Sequence, residues 1–380
     1  MKGLLSPPEI SSFADPETGA RVSQITSHRS ISHPTYFLQS SFTPDGSRIL
    51  FTSYRTGSPQ LFEAALPAGE IRQLTDGPPI HPFSPAIHPD GARVFFVRGG
   101  AVWSLDRGTL AETKVIEFPG AQLGECSLGD DGQWITAAIR QGAVQGVAIG
   151  RADGSGWHVV EFPRTVIHPQ FHPLDPEWLI FAGDPAPRMF RVRRDGSGLE
   201  CLYQHGNDEF VVHETFLGRT GDLVFVVWPF ALKRLNWHSR EISTIAEFNA
   251  WHIAANRAGT HVLCDTNHPD DGLFLVDATN GRRRKICVSG ASGQGSQWRK
   301  SSYALKADFE AARSGAKDNL SWMEAPTDSV YGPQWTHPHP SFSYDERHVA
   351  FTSDRTGHTQ VYVVEAPVLK RAAALPHRTH

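Results

Sequence analysis

The sequence predicts an all-β protein, a seven-bladed β-propeller closed by an N-terminal strand in the last blade, and three observations predict it. A turn-plus-strand unit recurs through the 380 residues, it recurs at the length of one four-stranded blade, and the two ends of the chain carry complementary parts of a blade. The whole chain, 1–380, is expected to form a single propeller domain.

The unit reads SFTPDGSRILF (41–51), AIHPDGARVFF (86–96), SLGDDGQWITA (127–137), FHPLDPEWLIF (171–181) and FLGRTGDLVFV (216–226), with weaker copies at AANRAGTHVLC (254–264) and SFSYDERHVAF (341–351). With Asp45, Asp90, Asp131, Asp175, Thr220, Ala258 and Asp345 taken as equivalent, the spacings are 45, 41, 44, 45, 38 and 87 residues. Within a repeat the order is strand, Asp-Gly-type turn, strand, a third strand such as AVWSLDR (101–107), and a closing strand such as IRQLT (71–75) or WHVVEF (157–162).

The last repeat stops after QVYVVEAP (360–367) without a fourth strand, while an orphan strand, ARVSQIT (20–26), precedes the first repeat. Pairing the orphan into the last blade closes the ring and removes two exposed sheet edges. The interval of 87 residues holds either a degenerate eighth blade or an insertion. Segment 289–333 is rich in Gly and Ser, contains one helix-like stretch (SSYALKADFEAAR, 301–313) and has no strand–turn–strand pattern, so a lid between blades is expected there. Residues 368–380 read as a C-terminal tail.

Composition narrows the function. With 36 Lys and Arg against 40 Asp and Glu, the formal charge of −4 offers no basic excess for a phosphate backbone, and nucleic acid is not expected as a partner. No apolar run reaches the roughly 18 residues of a membrane span, and MKGLLSPPEISSF has no secretory apolar region, so no membrane partner and a cytoplasmic location are expected. Cys126, Cys201, Cys264 and Cys287 are far apart, with no CxxC pair, and read as small buried hydrophobes.

Strand direction decides which side chains meet. If the Asp-Gly turns lie on one face, the first strand of every blade starts on the other, beside the central channel. Residues six to nine positions before each anchor then converge at that mouth, and those positions hold His81, His168, His213, His252 and the pair His337/His339. In QWTHPHPSF the last two imidazoles, two apart in an extended strand, face the same side, and proline stiffens the segment. Gln334 adds an amide oxygen and His252 a third imidazole. Such a set suits a first-row divalent ion with open positions, although spacing does not choose between Mn²⁺ and Zn²⁺.

The block THPHPSFSYDERHVAFTSD (336–354) resembles the final-blade signature of the oligogalacturonate lyases, and HPTYFLQSSFTPDGSRILF (33–51) resembles their first-blade segment. The resemblance implies a metal, manganese as a rule, held by His252, His337, His339 and Gln334. It also implies β-elimination from short oligogalacturonides, with the histidine of VVHETF, His213, as base and the arginine of PRMF, Arg188, meeting the uronate carboxylate. His81, His168, Tyr36 and Gln39 are placed on the same rim as candidate substrate contacts. Two departures bear on specificity: the third-blade insertion of the family is reduced to RQGAVQGVAIGRADG (140–154), and 289–333 is expanded instead. A non-catalytic TolB-like propeller binding a protein or peptide at the channel mouth is the competing expectation. A propeller-plus-peptidase hydrolase lacks both the length and a G-x-S-x-G elbow.

Overall fold

In a computed structural model of the protein the described residues are 1–184, 186–206, 208–267, 269–293 and 334–367, and they form seven antiparallel sheets, the blades of the expected propeller. Blades two to six have four strands each in chain order, from the channel outward. The expected lid lies, beyond residue 293, outside the described residues, as does the expected tail. Among the described residues the only helical turns are Gly218–Thr220 and Gln334–Thr336, and no helix is long and apolar enough to cross a membrane.

The ring closes as the orphan strand requires. Strand Arg21–Gln24 pairs antiparallel with Gln360–Glu365, Val22 opposite Val364 and Gln24 opposite Tyr362. The N-terminal segment contributes more than that one strand: Ser11–Ala14 extends blade seven, and Leu5–Ser6 pairs with Ile71–Gln73 at the outer edge of blade one.

Both faces of most strands are buried because the apolar layers lie between blades. Leu263, Leu273, Leu275 and Ile286 of blade six interlock with Val22, Val349, Phe351, Tyr362 and Val364 of blade seven. Burial of one such side chain contributes about 1.5–3 kcal/mol, so the layer at the closing seam is an ordinary core rather than a weak joint. Turn chemistry then fixes direction. Asp45 accepts from the Thr43 hydroxyl (2.6 Å) and the Ser47 amide (3.0 Å), and Gly46 takes the left-handed φ of 69° that the turn demands. All four cysteines are free, three of them buried and Cys201 partly exposed.

The inner strands fall into two kinds. In blades three to six they run six or seven residues, Gln122–Leu128, Thr165–Phe171, Phe210–Phe216 and Ala250–Ala255. Each breaks its pairing once: between Leu123 and Cys126, Ile167 and Gln170, Val212 and Thr215, and Ala250 and Ile253. In blades one, two and seven the inner strands are Ser32–Pro34, Ala86–Ile87 and Ser341–Phe342, flanked by proline-bearing loops.

Candidate functional site

The pairing breaks hold Gly124-Glu125, His168-Pro169, His213-Glu214 and Trp251-His252. A bulge re-aims a side chain that a regular strand would send into the interblade layer. His168 (φ 53°) and His213 (φ 51°) adopt the left-handed conformation there, as does His339 (φ 45°) in the blade-seven loop. Such backbone costs of order 1–3 kcal/mol at a non-glycine residue and persists where the surroundings impose it, typically at functional sites.

Loop and bulge residues meet on the channel axis. The ring of Phe37, from blade one, touches those of His168 (5.6 Å between centroids), His213 (5.5 Å), His252 (5.3 Å) and His339 (6.1 Å), one from each of blades four to seven. His252 and His339 lie 3.8 Å apart, His213 and His252 4.4 Å, and His252 and His337 5.6 Å, all of them buried. Nε2 of His252, Nε2 of His339 and Nδ1 of His213 are buried without a hydrogen-bond partner. Burial holds all three imidazoles well below their usual pKa range, so they present lone pairs rather than charge.

Partners behind the cluster fix its orientation. Asp265 accepts from the His252 amide (2.6 Å) and contacts its Nδ1 (2.8 Å), which leaves Nε2 facing the channel, the arrangement by which a carboxylate orients a metal-binding imidazole. Burial pushes the Asp265 carboxyl up to about 7. Glu214 joins two expected site residues, meeting His168 Nδ1 at 2.8 Å and accepting from Arg188 Nε at 3.0 Å. Burial alone would raise Glu214, but Arg188 and His168 outweigh it and hold it at about 2. The other nitrogen of His168 bonds the Tyr36 hydroxyl at 2.9 Å, so both its nitrogens are engaged. His81 is buried on the blade-two side, and burial together with His33 takes its pKa to about 3.

Two expectations need correction. Gln39 does not share the histidine rim: its amide donates to Ser127 (3.1 Å), and it lines a cavity with Asp130, Arg219 and Arg257, at the end towards which the inner strands run. The reason is the loop itself, because Phe37 fills the axis and sends the following residues past it. His337 and His339 are not in an extended strand either. They precede strand Ser341–Phe342 in an irregular segment, their ring centroids 6.1 Å apart, held by the Thr352 amide donating to Pro338 O at 2.8 Å. Gln334 opens the short turn before them, and its carbonyl accepts from the His337 amide (3.1 Å).

The chemistry of the donors, imidazole nitrogens without partners beside a carboxylate-oriented histidine, fits a divalent ion. Among the described residues no three His, Cys, Asp or Glu side chains are spaced to hold one, and the His252 and His339 ring centroids are 3.8 Å apart.

Sequence reasoning missed Glu125, Glu214, Asp265 and His33. Glu125 and Glu214 each sit six residues before their anchors, Asp131 and Thr220, inside the window that was read only for histidine. His33, with Nε2 unpartnered and burial lowering it to about 4, stands at the start of the first-blade block. Asp265 carries no comparable signal, being one residue of a buried strand.

A sequence model of the family described as oligogalacturonate lyase matches residues 2–153 and 164–369. The oligogalacturonate lyase of Dickeya dadantii is 22% identical over 412 residues, covering 93% of this chain and 95% of its own length. The oligogalacturonide lyase of Pectobacterium atrosepticum is 22% identical over 401 residues, covering 96% and 98%. A solved oligogalacturonate lyase in complex with manganese superposes with a TM-score of 0.80 at 21% identity, covering 96% of this chain and 98% of that one. The fold expected from the repeats and the family expected from the first and last blades thus coincide, and the chain belongs to the oligogalacturonate lyase family.

Proposed function

We propose that the protein is a metal-dependent lyase that cleaves short uronate oligosaccharides, oligogalacturonides first among them, by β-elimination. The observation that carries this reading is His213, a buried imidazole with an unpartnered nitrogen, set between the Arg188–Glu214 pair and the unpartnered imidazoles of His252 and His339. Family membership, with relatives named as lyases of oligogalacturonate and oligogalacturonide, supports the substrate class.

Elimination needs a base at the C5 proton and positive charge at the adjacent carboxylate. His213 is the proposed base. Arg188 is the proposed carboxylate partner, oriented through its Nε by Glu214. His252, His337, His339 and Gln334 would hold the cation, Mn²⁺ in first place because the solved relative is described as a manganese complex. When bound, the cation would supply charge that makes the C5 proton more acidic. The Tyr36–His168 pair and His81 are the proposed contacts to sugar hydroxyls. Gln39 is not among them, since it faces the opposite mouth.

The test is incubation of di- and trigalacturonate with the purified protein and Mn²⁺, followed by absorbance of the 4,5-unsaturated uronate. Product formation is expected. Failure to cleave any uronate oligomer would overturn the reading.

A further inference from the structure

Elimination also needs somewhere for a proton to come from when the glycosidic oxygen leaves, and none of the residues above supplies it. Glu214 is unsuitable: it is engaged by His168 and Arg188 and held ionised. We propose that Glu125 is a further catalytic residue, the acid that protonates the departing oxygen; this rests on the elimination reading.

Glu125 is the second residue of the bulge in the blade-three inner strand, the place that Glu214 takes in blade five and His252 in blade six, while His168 and His213 are the first residues of theirs. The next residue turns away, the Cys126 thiol donating to Ser84 O of blade two at 2.9 Å. The Glu125 carboxyl is buried, with Oε2 lacking any hydrogen-bond partner. A native protein does not leave a buried carboxyl oxygen unsatisfied without reason, and a partner that arrives with the substrate is such a reason. The titratable and charged groups around it are the His168 imidazole and the Arg188 guanidinium, with Glu214 bonded to both.

The electrostatics agree with the geometry. Burial raises the Glu125 pKa against the pull of His168 and Arg188, favouring the protonated acid. Two carboxyls beside the same arginine are thus shifted in opposite directions, Glu214 down and Glu125 up, the pattern by which charge-holding and acid roles are divided.

The step balances. His213 takes the C5 proton, the freed electron pair forms the C4–C5 double bond, the C4–O bond breaks with its pair on oxygen, and that oxygen takes the Glu125 proton. Glu125 is left as a carboxylate beside Arg188 and His168, and solvent returns a proton to it as His213 releases the one it took.

The experiment compares Glu125→Gln and Glu125→Asp in the full chain, with Mn²⁺, on trigalacturonate. For Glu125→Gln we expect kcat to fall by about 10²–10⁴ with KM within about threefold of wild type. Glu125→Asp, which keeps a proton to give, should recover at least about tenfold of that loss. Wild-type kcat should decline as pH rises through the Glu125 pKa, and the glutamine variant should lack that limb. A folded Glu125→Gln protein with kcat within about fivefold of wild type removes Glu125 from the mechanism while leaving the lyase reading intact. Failure of both variants to fold assigns the carboxyl to structure and also overturns the proposal. A wild type that cleaves no uronate oligomer sinks both readings together.

Discussion

The two halves of the ring reach the channel by different means. Blades three to six re-aim single residues with a bulge inside an otherwise paired strand. Blades one, two and seven shorten or interrupt the strand and send a loop, HPTYFLQ (33–39), HPFSP (81–85) or HPHP (337–340). A bulge is clamped by ladder hydrogen bonds on both sides, so it sets one side chain firmly and leaves the rest of the strand in the core. A loop projects several consecutive side chains and depends on proline and a few anchors for its shape. The chemistry divides accordingly: the proposed base comes from a bulge, and the aromatic filling of the channel comes from a loop.

That division is broken most severely at His213. His213→Ala should lower kcat by about 10²–10⁴ with thermal unfolding little changed, because the bulge is held by its backbone. A variant turning over near the wild-type rate would show that His213 is not the base.

Arg188→Ala should hurt both halves of the measurement. It leaves Glu214 buried without its arginine, an uncompensated charge costing about 3–5 kcal/mol, and it should raise KM for trigalacturonate. The pH dependence carries a sign. Glu214 is held at about 2, so its contribution is present above the ordinary carboxylate value of 4.5 and is lost as pH falls from there towards 2. Unfolding curves of the variant across that interval should be flatter than those of the wild type.

The proposed metal site bridges the two kinds of inner strand, with His252 on a bulge and His337 and His339 on a loop. Mn²⁺ at a hundredfold excess over its Kd should stabilise the wild type by about 2.7 kcal/mol, read as a rise in Tm, and the rise should vanish in His252→Ala and His337→Ala. A rise retained in both would place the ion elsewhere. The smallest effect separates backbone from side chain at His339. With φ at 45°, His339→Gly should be more stable than His339→Ala by about 0.5–1 kcal/mol, although both lose the imidazole.

The legible parts of this structure are those written in local chemistry. Asp-Gly turns and blade-length spacing gave away the repeats, the orphan strand 20–26 gave away the closure, and His-Pro dipeptides pointed at the loops. What stayed hidden is non-local. A bulge has no residue signature, so Glu125, whose neighbours Gly124 and Cys126 look like ordinary strand, was passed over although it sits in the window that revealed His213. Gln39 was misplaced because strand counting treats a loop as a point, whereas Phe37 packs on the histidines and Gln39, two residues on, bonds Ser127. The extra strands Leu5–Ser6 and Ser11–Ala14 are too short and too polar to announce themselves.

Phe37 has a bearing on traffic. Its ring is hemmed in by imidazoles from four blades, so anything that moves along the channel at the level of the site has to displace Phe37. Without such a displacement, substrate entry and product departure share one doorway on the histidine side. A fragment that lingers there blocks the next arrival, and competitive inhibition by product becomes a property of the architecture as much as of affinity.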